Sequence, residues 1–392
     1  MATIQKRGKS YLISVSAGYD CSGKQIRRTM TWKPDLDMTD KAIRDELNRQ
    51  AVLFEEKIRN NHAANGHIRF KDFADRWFDD YAKAQLRPKT LERYEQFKER
   101  TYAAIGHIHL DKLSPIHLNA FYAQLAEPGQ NQRTGGGLAP KTIRHYHTFV
   151  SSVMDRAVKW GLVQDNPCRR VDAPKVPKKE LTYLDDKAAY VFMAYMSHED
   201  VEFRTIFTLL LVTGMRRGEL MGLEWKDIDW QDRKLHIRRT SQYTVERGIY
   251  TDDTKTEQSK RTIVLPPDVL NLLKEYRACQ SEKRLKLGDR WEDHDRLFTQ
   301  WDGKPMFPNA PYQMLQRFLD RHLCLPRINI HSLRHTNATL MIGTGTDIRT
   351  VSGLLGHSQT STTLNIYAHQ LQSASAAATE SVVNILMRKN QA

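Results

Sequence analysis

The sequence predicts a mainly α-helical chain with small β-sheets, a multi-domain α+β protein. Three observations predict it. Residues 11–16 and 25–32 alternate apolar and polar side chains around Asp20-Cys21-Ser22-Gly23, the pattern of strands joined by a turn, and the first 33 residues are expected to form a three-stranded sheet. From Thr39 to about residue 172 the apolar residues recur at helical spacing instead. After a stretch rich in proline and lysine, helical patterns resume and enclose three further short strands. A chain of 392 residues is too long for one ordinary core. The boundaries are expected at 1–65, 66–173, a basic linker at 174–180, and 181–392.

The N-terminal strands carry Lys6, Arg7, Lys9, Lys24, Arg27, Arg28 and Lys33, opposed only by Asp20. A small basic sheet of this kind can lay one face into a DNA major groove, with Arg27 and Arg28 as candidate contacts. Ala42, Leu47, Ala51, Phe54 and Ile58 then mark one face of a helix that runs to about Asn61, and Ala63-Ala64-Asn65-Gly66 follows as a linker. Residues 67–172 read as wholly helical. Phe70, Phe73, Trp77 and Tyr81 share a face, Pro88 suits a helix's first turn, and Ser114-Pro115 reads as a cap followed by the first helical residue. Residues 127–140, with Gly135-Gly136-Gly137, lack the Gly-Lys-Ser/Thr ending of a phosphate-binding loop and are expected to be a flexible connector. The helix from Pro140 to Trp160 brings Lys141, Thr142 and Arg144 to its start, where a phosphate backbone can be tracked. Lys175, Lys178 and Lys179, in a proline-stiffened run, are expected to contact DNA between two lobes.

A net charge of +14 asks for a polyanionic partner, and nucleic acid fits it. Cys21, Cys168, Cys279 and Cys324 stand far apart, which gives neither a disulfide framework nor a zinc site and suits a reducing cytoplasm. The longest apolar run, Ile206 to Val212, is too short to span a bilayer, and the N-terminus lacks a signal-peptide core, so no membrane association is expected. No acidic cluster has metal-ligand spacing; neither a metal nor another cofactor is expected.

The chemistry concentrates toward the C-terminus. A buried helix over 203–212 delivers Thr213-Gly214-Met215-Arg216, where glycine relaxes the backbone and Arg216 can turn inward, with Arg217 as the competing arginine. Glu219, three residues on, can orient a guanidinium. Residues 235–238, 248–251 and 261–265 alternate as strands, and Lys255 is expected at the tip between the last two, with Lys260 as its local rival. His331 and Arg334 are three apart and share a helix face. Gly356 ends a second helical pattern, 347–355, and is expected to turn His357 back toward that pair; Tyr367 follows a short polar turn. Two histidines, guanidinium groups and a phenol suit phosphate-ester chemistry with the phenol as the attacking group.

Thr213-Gly214-Met215-Arg216-Arg217-Gly218-Glu219-Leu220, then Thr254-Lys255-Thr256 with Ser259-Lys260-Arg261, then His331-x-x-Arg334, Leu354-Leu355-Gly356-His357 and Tyr367 resemble, in order, the motifs of the tyrosine recombinases, the phage-integrase family. The layout of the N-terminal half is similar to that of integrases from conjugative transposons and temperate phages. The resemblance implies an arm-binding domain at 1–65, a core-binding domain at 66–173 and a catalytic domain at 181–392. It selects Arg216 over Arg217 and makes Lys255 a general acid reaching the minor groove. It implies a site-specific recombinase that integrates and excises a mobile element through a 3′-phosphotyrosyl link formed by Tyr367. Arg216 and Arg334 would clamp the phosphate, His357 would donate to it, and His331 would take or relay the tyrosine proton. The expected partner is double-stranded DNA at element ends or attachment sites. A homo-tetramer coupled through an apolar C-terminal stripe (Ala376, Val382, Val383, Leu386), an excisionase or DNA-bending factor, and a bacterial, nucleoid-associated location belong to the same expectation. The rival readings are a type IB topoisomerase-like enzyme and a catalytically silent DNA-binding regulator on the same scaffold.

Overall fold

The computed structural model describes residues 2–19, 24–35, 38–60, 68–177, 182–253 and 260–356. Lys178, Lys179, Lys255, His357 and Tyr367 lie outside the described residues, as do the turn at 20–23, the linker at 63–66 and the C-terminal stripe. The chain separates into two compact units, 1–178 and 179–392.

The first unit opens with an antiparallel meander, β1 (Thr3–Arg7), β2 (Ser10–Tyr19) and β3 (Gln25–Trp32), in that order. Period-two alternation puts Ile13 and Val15 on one face of β2, and helix α1 (Asp40–Asn60) covers that face with Leu47 and Ala51. The rest of the unit is helical: α2 (Phe70–Trp77), extended by a wide turn over Phe78–Ala82, then α3 (Pro88–Ile105), α4 (Pro115–Ala126) and α5 (Pro140–Lys159). Their apolar faces meet around Trp77, Phe78, Phe97, Tyr146 and Phe149, aromatic side chains each contributing roughly 1.5–3 kcal/mol or more by leaving water. Pro88, Pro115 and Pro140 all stand at the first helical position, where a missing N–H costs nothing. Ser114 precedes Pro115 in extended conformation, and its backbone N–H donates to Nδ1 of His117, which closes the first turn of α4.

The segment between α4 and α5 corrects the expected flexible connector. It is an ordered, hydrogen-bonded loop: Gly129 N donates to Gly135 O and Asn131 N to Gly136 O, both at 2.8 Å, and Arg100 Nη2 reaches Gln130 O at 2.7 Å. Gly137 serves close packing, since a Cβ there would lie 2.0 Å from the carbonyl oxygen of Ala126, whereas Gly129 and Gly135 take positive φ with open space around them.

In the second unit α6 (Asp186–Met196) precedes α7 (Val201–Thr213), which is buried along most of its length and starts where Asp200 accepts from Phe203 N at 2.8 Å. A short α8 (Arg217–Met221) follows. The three expected strands are present and fall in two sheets. β4 (Ile228–Asp229), β5 (Lys234–Ile237) and β8 (Arg261–Val264) form one; β6 (Arg239–Thr244) and β7 (Gly248–Asp253) form the other. The strands flanking Lys255 therefore do not pair with each other. β8 pairs with β5 because Ile263 lies opposite the buried Leu235, so both apolar side chains enter the core together. Among the described residues, three longer helices and a short one follow: α9 (Pro267–Leu287), α10 (Ala310–Arg321), α11 (Ile330–Gly343) and α12 (Ile348–Leu355). Ala338 and Ile342 of α11 pack on Val351 and Leu355 of α12. No helix among the described residues is long and apolar enough to cross a membrane.

Candidate active site

Two left-handed glycines set the geometry of the cluster. Gly214 ends α7 at φ +59°, and a Cβ there would lie 2.5 Å from Asn337 Oδ1 and 2.6 Å from a Leu355 methyl. Glycine is demanded both by the backbone and by the close approach of α11 and α12. The reversal sends Arg216 and Arg217 in different directions. Arg217 Nη1 bonds Asn309 at 2.7 Å, whereas Arg216 turns to Glu219 and to the end of α12. Gly356 ends α12 at φ +66°, leaving that helix's last carbonyls without intrahelical donors.

Three guanidinium groups supply the missing donors. Arg261 Nε binds Leu354 O at 2.6 Å, Arg334 Nη2 binds Leu355 O at 2.7 Å, and Arg216 Nη2 binds Gly356 O at 3.2 Å. A helix C-terminus carries about half a negative charge, so cations are favoured there. Arg334, 2 % exposed on α11, also binds Gly214 O at 2.8 Å and so joins the ends of α7 and α12. Glu219, 1 % exposed, receives Arg216 Nη1 at 2.8 Å on one oxygen and both Arg216 N and Arg261 Nη2 at 2.9 Å on the other. Burial alone would raise its carboxyl, but Arg261 and then Arg216 outweigh that and hold it below the usual carboxylate range. One carboxylate thus pairs with two of the three guanidinium groups, while Arg334 rests on backbone carbonyls, and the excess charge is positive. Arg216 is the member whose side chain reaches solvent, at 40 % exposure.

His331 stands in the first turn of α11, above Arg334. That turn is fixed by Asn329, whose Oδ1 accepts from His331 N at 2.8 Å and Ser332 N at 3.2 Å, while Ser332 Oγ accepts from Asn329 N. The outer side of His331 is open to solvent, but its ring lies edge-on against His335, with centroids 4.7 Å apart. Packing beneath the ring, then Arg334 and Arg216, lower its pKa below the ordinary imidazole value. His335 is buried and is pushed down to about 4 by burial, His331 and Arg334. Both rings are neutral at pH 7, the form that accepts a proton.

The structure therefore brings together Arg216, Glu219, His331 and Arg334 around the helix end that leads to His357. Lys260, the rival of Lys255, is exposed and lines a cleft of about 800 Å³ with His236, Arg238 and Arg261. Two further residues of the cluster were not singled out from sequence. Arg261 follows a lysine and opens a strand, a place where arginine is ordinarily solvated, and nothing local marks it as buried. Asn337, whose Nδ2 donates to Leu211 O at 2.7 Å and Val212 O at 3.0 Å, caps α7 from a distant helix.

The DNA-contact candidates are placed separately. Arg27 and Arg28 are both exposed, but successive strand residues face opposite ways: Arg28 lies across from Val15 on the face covered by α1, and Arg27 across from Ser16 on the open face. One face of the sheet therefore presents Arg27 and the other Arg28. Lys141 and Arg144 are exposed on the first turns of α5 and Thr142 is half-buried beside them. Arg93 joins this basic patch, since its charge, after burial and together with Lys141, lowers the pKa of His145. Lys175 is exposed.

The described fold gathers three arginines at one helix end. Comparison with known proteins identifies the lineage. Residues 182–374 match the phage integrase family and residues 69–126 match the phage integrase N-terminal SAM-like domain, together more than half of the chain. The chain belongs to the phage integrase family, the tyrosine recombinases. It is 28 % identical to a tyrosine recombinase XerC-like protein of Caldanaerobacter subterraneus subsp. tengcongensis, over 97 % of this chain and 98 % of that one. It is 27 % identical to the ICEBs1 integrase of Bacillus subtilis, over 92 % and 93 %. Among solved structures, the Tn1549 transposon integrase in complex with a circular intermediate DNA superposes with a TM-score of 0.64 at 19 % identity, over 80 % of this chain and 99 % of that chain. At that identity the likeness is one of fold.

Proposed function

We propose that this chain is a site-specific DNA recombinase, an integrase that cuts and rejoins double-stranded DNA through a 3′-phosphotyrosyl intermediate to integrate and excise a mobile genetic element. The observation that carries this reading is the set of guanidinium groups held at the end of α12 by Glu219 and successive carbonyls, in a chain whose relatives along nearly its whole length are recombinases and integrases. Phosphoryl transfer gives a protein little covalent work beyond the nucleophile; positioning and charge stabilisation supply most of the rate. In the proposed reaction the Tyr367 oxygen attacks the scissile phosphorus, the bond from phosphorus to the 5′ oxygen breaks, and the 5′ hydroxyl leaves with a proton from Lys255. Arg216 and Arg334 neutralise the non-bridging oxygens through guanidinium forks, a geometry lysine cannot copy. His357 donates a further hydrogen bond, and His331, neutral at pH 7, takes the phenolic proton. Attack by another strand's 5′ hydroxyl reverses the step and completes exchange without hydrolysis.

In the same proposal residues 1–65 bind arm sites, 66–173 grip the core site through Lys141, Thr142 and Arg144, and 174–180 cross the DNA through Lys175, Lys178 and Lys179 to the catalytic residues 181–392. Four copies would assemble at synapsis, coupled by the C-terminal stripe and assisted by an excisionase or bending factor, on DNA in the bacterial nucleoid. The test is a nicked duplex carrying an end of the element, incubated with wild type and with Tyr367→Phe and run on a denaturing gel. The reading expects a covalent protein–DNA band from wild type alone. Specific binding without any adduct would replace it with a silent DNA-binding regulator, and adducts that relax supercoils without exchanging strands would replace it with a topoisomerase.

A further inference from the structure

We propose that Arg261 is a positioning residue that aims Arg216 by holding one of its acceptors, Glu219, and the helix end two residues before the other, Gly356, so that the first residue of β8 controls the reactivity of an arginine it does not touch. The inference rests on the reading of Arg216 as a phosphate ligand. The geometry is a closed ring. Arg261 Nη2 holds Glu219 Oε2, and Glu219 Oε1 holds Arg216 Nη1. Arg216 Nη2 holds Gly356 O, the backbone runs back two residues, and Leu354 O returns to Arg261 Nε. Every polar contact shown for the Arg216 side chain thus ends on a group that Arg261 fixes or that lies two residues from one.

The surroundings are shaped for this. The Arg261 side chain is 7 % exposed although β8 begins in a polar stretch, and it runs along the bare α-carbon of Gly356, where a Cβ would come within 3.0 Å of Nη1 and 3.4 Å of Cδ. Burying an arginine is costly unless its fork is satisfied, and two acceptors on different elements satisfy it. Arg261 is also paired in register with Ile237 on β5, so the ring is anchored to the sheet and not to a loop. Lysine offers one point charge and cannot serve both acceptors in this arrangement.

The test uses the full-length chain and the nicked duplexes described above, with single-turnover adduct formation read as a rate constant and an amplitude. Arg261→Lys and Arg261→Met, the second keeping the aliphatic stem, should bind DNA within about twofold of wild type and reach its amplitude, while the rate constant falls at least about tenfold. A residue that only maintains the fold would lower the amplitude and the melting temperature and leave the rate of the active fraction unchanged. Glu219→Gln should cost a similar factor, and the double variant should lose no more than the worse single one, because both act through one ring. A wild-type rate in Arg261→Lys, or losses that multiply in the double variant, would overturn the role while leaving the recombinase reading intact. Absence of a Tyr367-dependent adduct from wild type removes the reaction itself, and the role of Arg261 with it.

Discussion

Two of the basic regions of this chain treat charge in opposite ways. Around the end of α12 each guanidinium has fixed partners: two arginines are nearly inaccessible, and the third reaches solvent from a base held by Glu219 and Gly356. On the N-terminal sheet the arginines are exposed and fall on both faces, and the side-chain bond shown for them among the described residues is local, Arg27 Nε to Gln25 at 2.9 Å. The first arrangement spends folding energy on orientation, which is what stabilising a transition state requires. The second leaves side chains free to find phosphates, which raises affinity without fixing geometry. Substitutions in the two regions should therefore fail in different observables.

The largest effect is expected at Arg334. Arg334→Ala removes a proposed phosphate donor, and the loss of one such donor costs about 10²–10³ in rate. It also takes away the donor to Gly214 O and Leu355 O, which should cost about 1–3 kcal/mol of stability. Arg334→Lys separates the two: much of the stability returns, and the rate does not. Single-turnover cleavage beside thermal melting checks this, and a lysine variant at wild-type rate would show that the fork is not needed.

His335 gives the region a pH signature. Its folded pKa, about 4, lies below the unfolded imidazole value of about 6.5, so between these values the unfolded chain binds a proton that the folded chain refuses. The contribution is fully present above pH 6.5 and declines as pH falls toward 4, by roughly 3 kcal/mol at most. His335→Gln should flatten the fall in melting temperature over that window; an unchanged slope would assign the effect to other groups. For His331, also lowered, the expected sign in catalysis is an acid limb of the cleavage rate below the usual imidazole range. That limb should move up in Arg216→Ala, because one of the cations holding it down is gone.

Gly214 comes next. Alanine there meets a left-handed backbone costing about 1–2 kcal/mol and a Cβ too close to Asn337 and Leu355. The expected outcome is a lower melting temperature together with a slower cleavage rate, since the same turn aims Arg216. This turn was legible in the sequence because a glycine after an apolar helix has a local cause, and the same holds for Gly356 and for the spacing of His331 and Arg334. What was not legible is what these residues bind. The acceptors of Arg216, Arg261 and Arg334 include backbone carbonyls, which carry no residue-type signature, and the donor Arg261 arrives from a strand whose pairing with β5 skips over a whole hairpin. The loop over 127–139 was misread for a related reason: a glycine run signals permissive backbone, and only the packing of Ala126 against Gly137 shows that the permission is used for close contact.

The smallest effects belong to the sheet, and they test the contrast most directly. Arg27 lies on the face that α1 leaves open, in register with Ser16, while Arg28 shares the covered face with Val15. If the open face enters a groove, Arg27→Ala should weaken arm-site binding a few-fold and reduce the slope of log affinity against log salt by about 0.9, the value for one lost phosphate contact. Arg28→Ala should do less of both. Neither should alter the cleavage rate once DNA is saturating, because neither charge is tied to the ring at α12. Equal salt slopes for the two variants would mean that the DNA follows the edge of the sheet and not its face. A changed cleavage rate at saturation would mean that the N-terminal region does more than supply affinity, and the division between fixed and free charge would no longer hold.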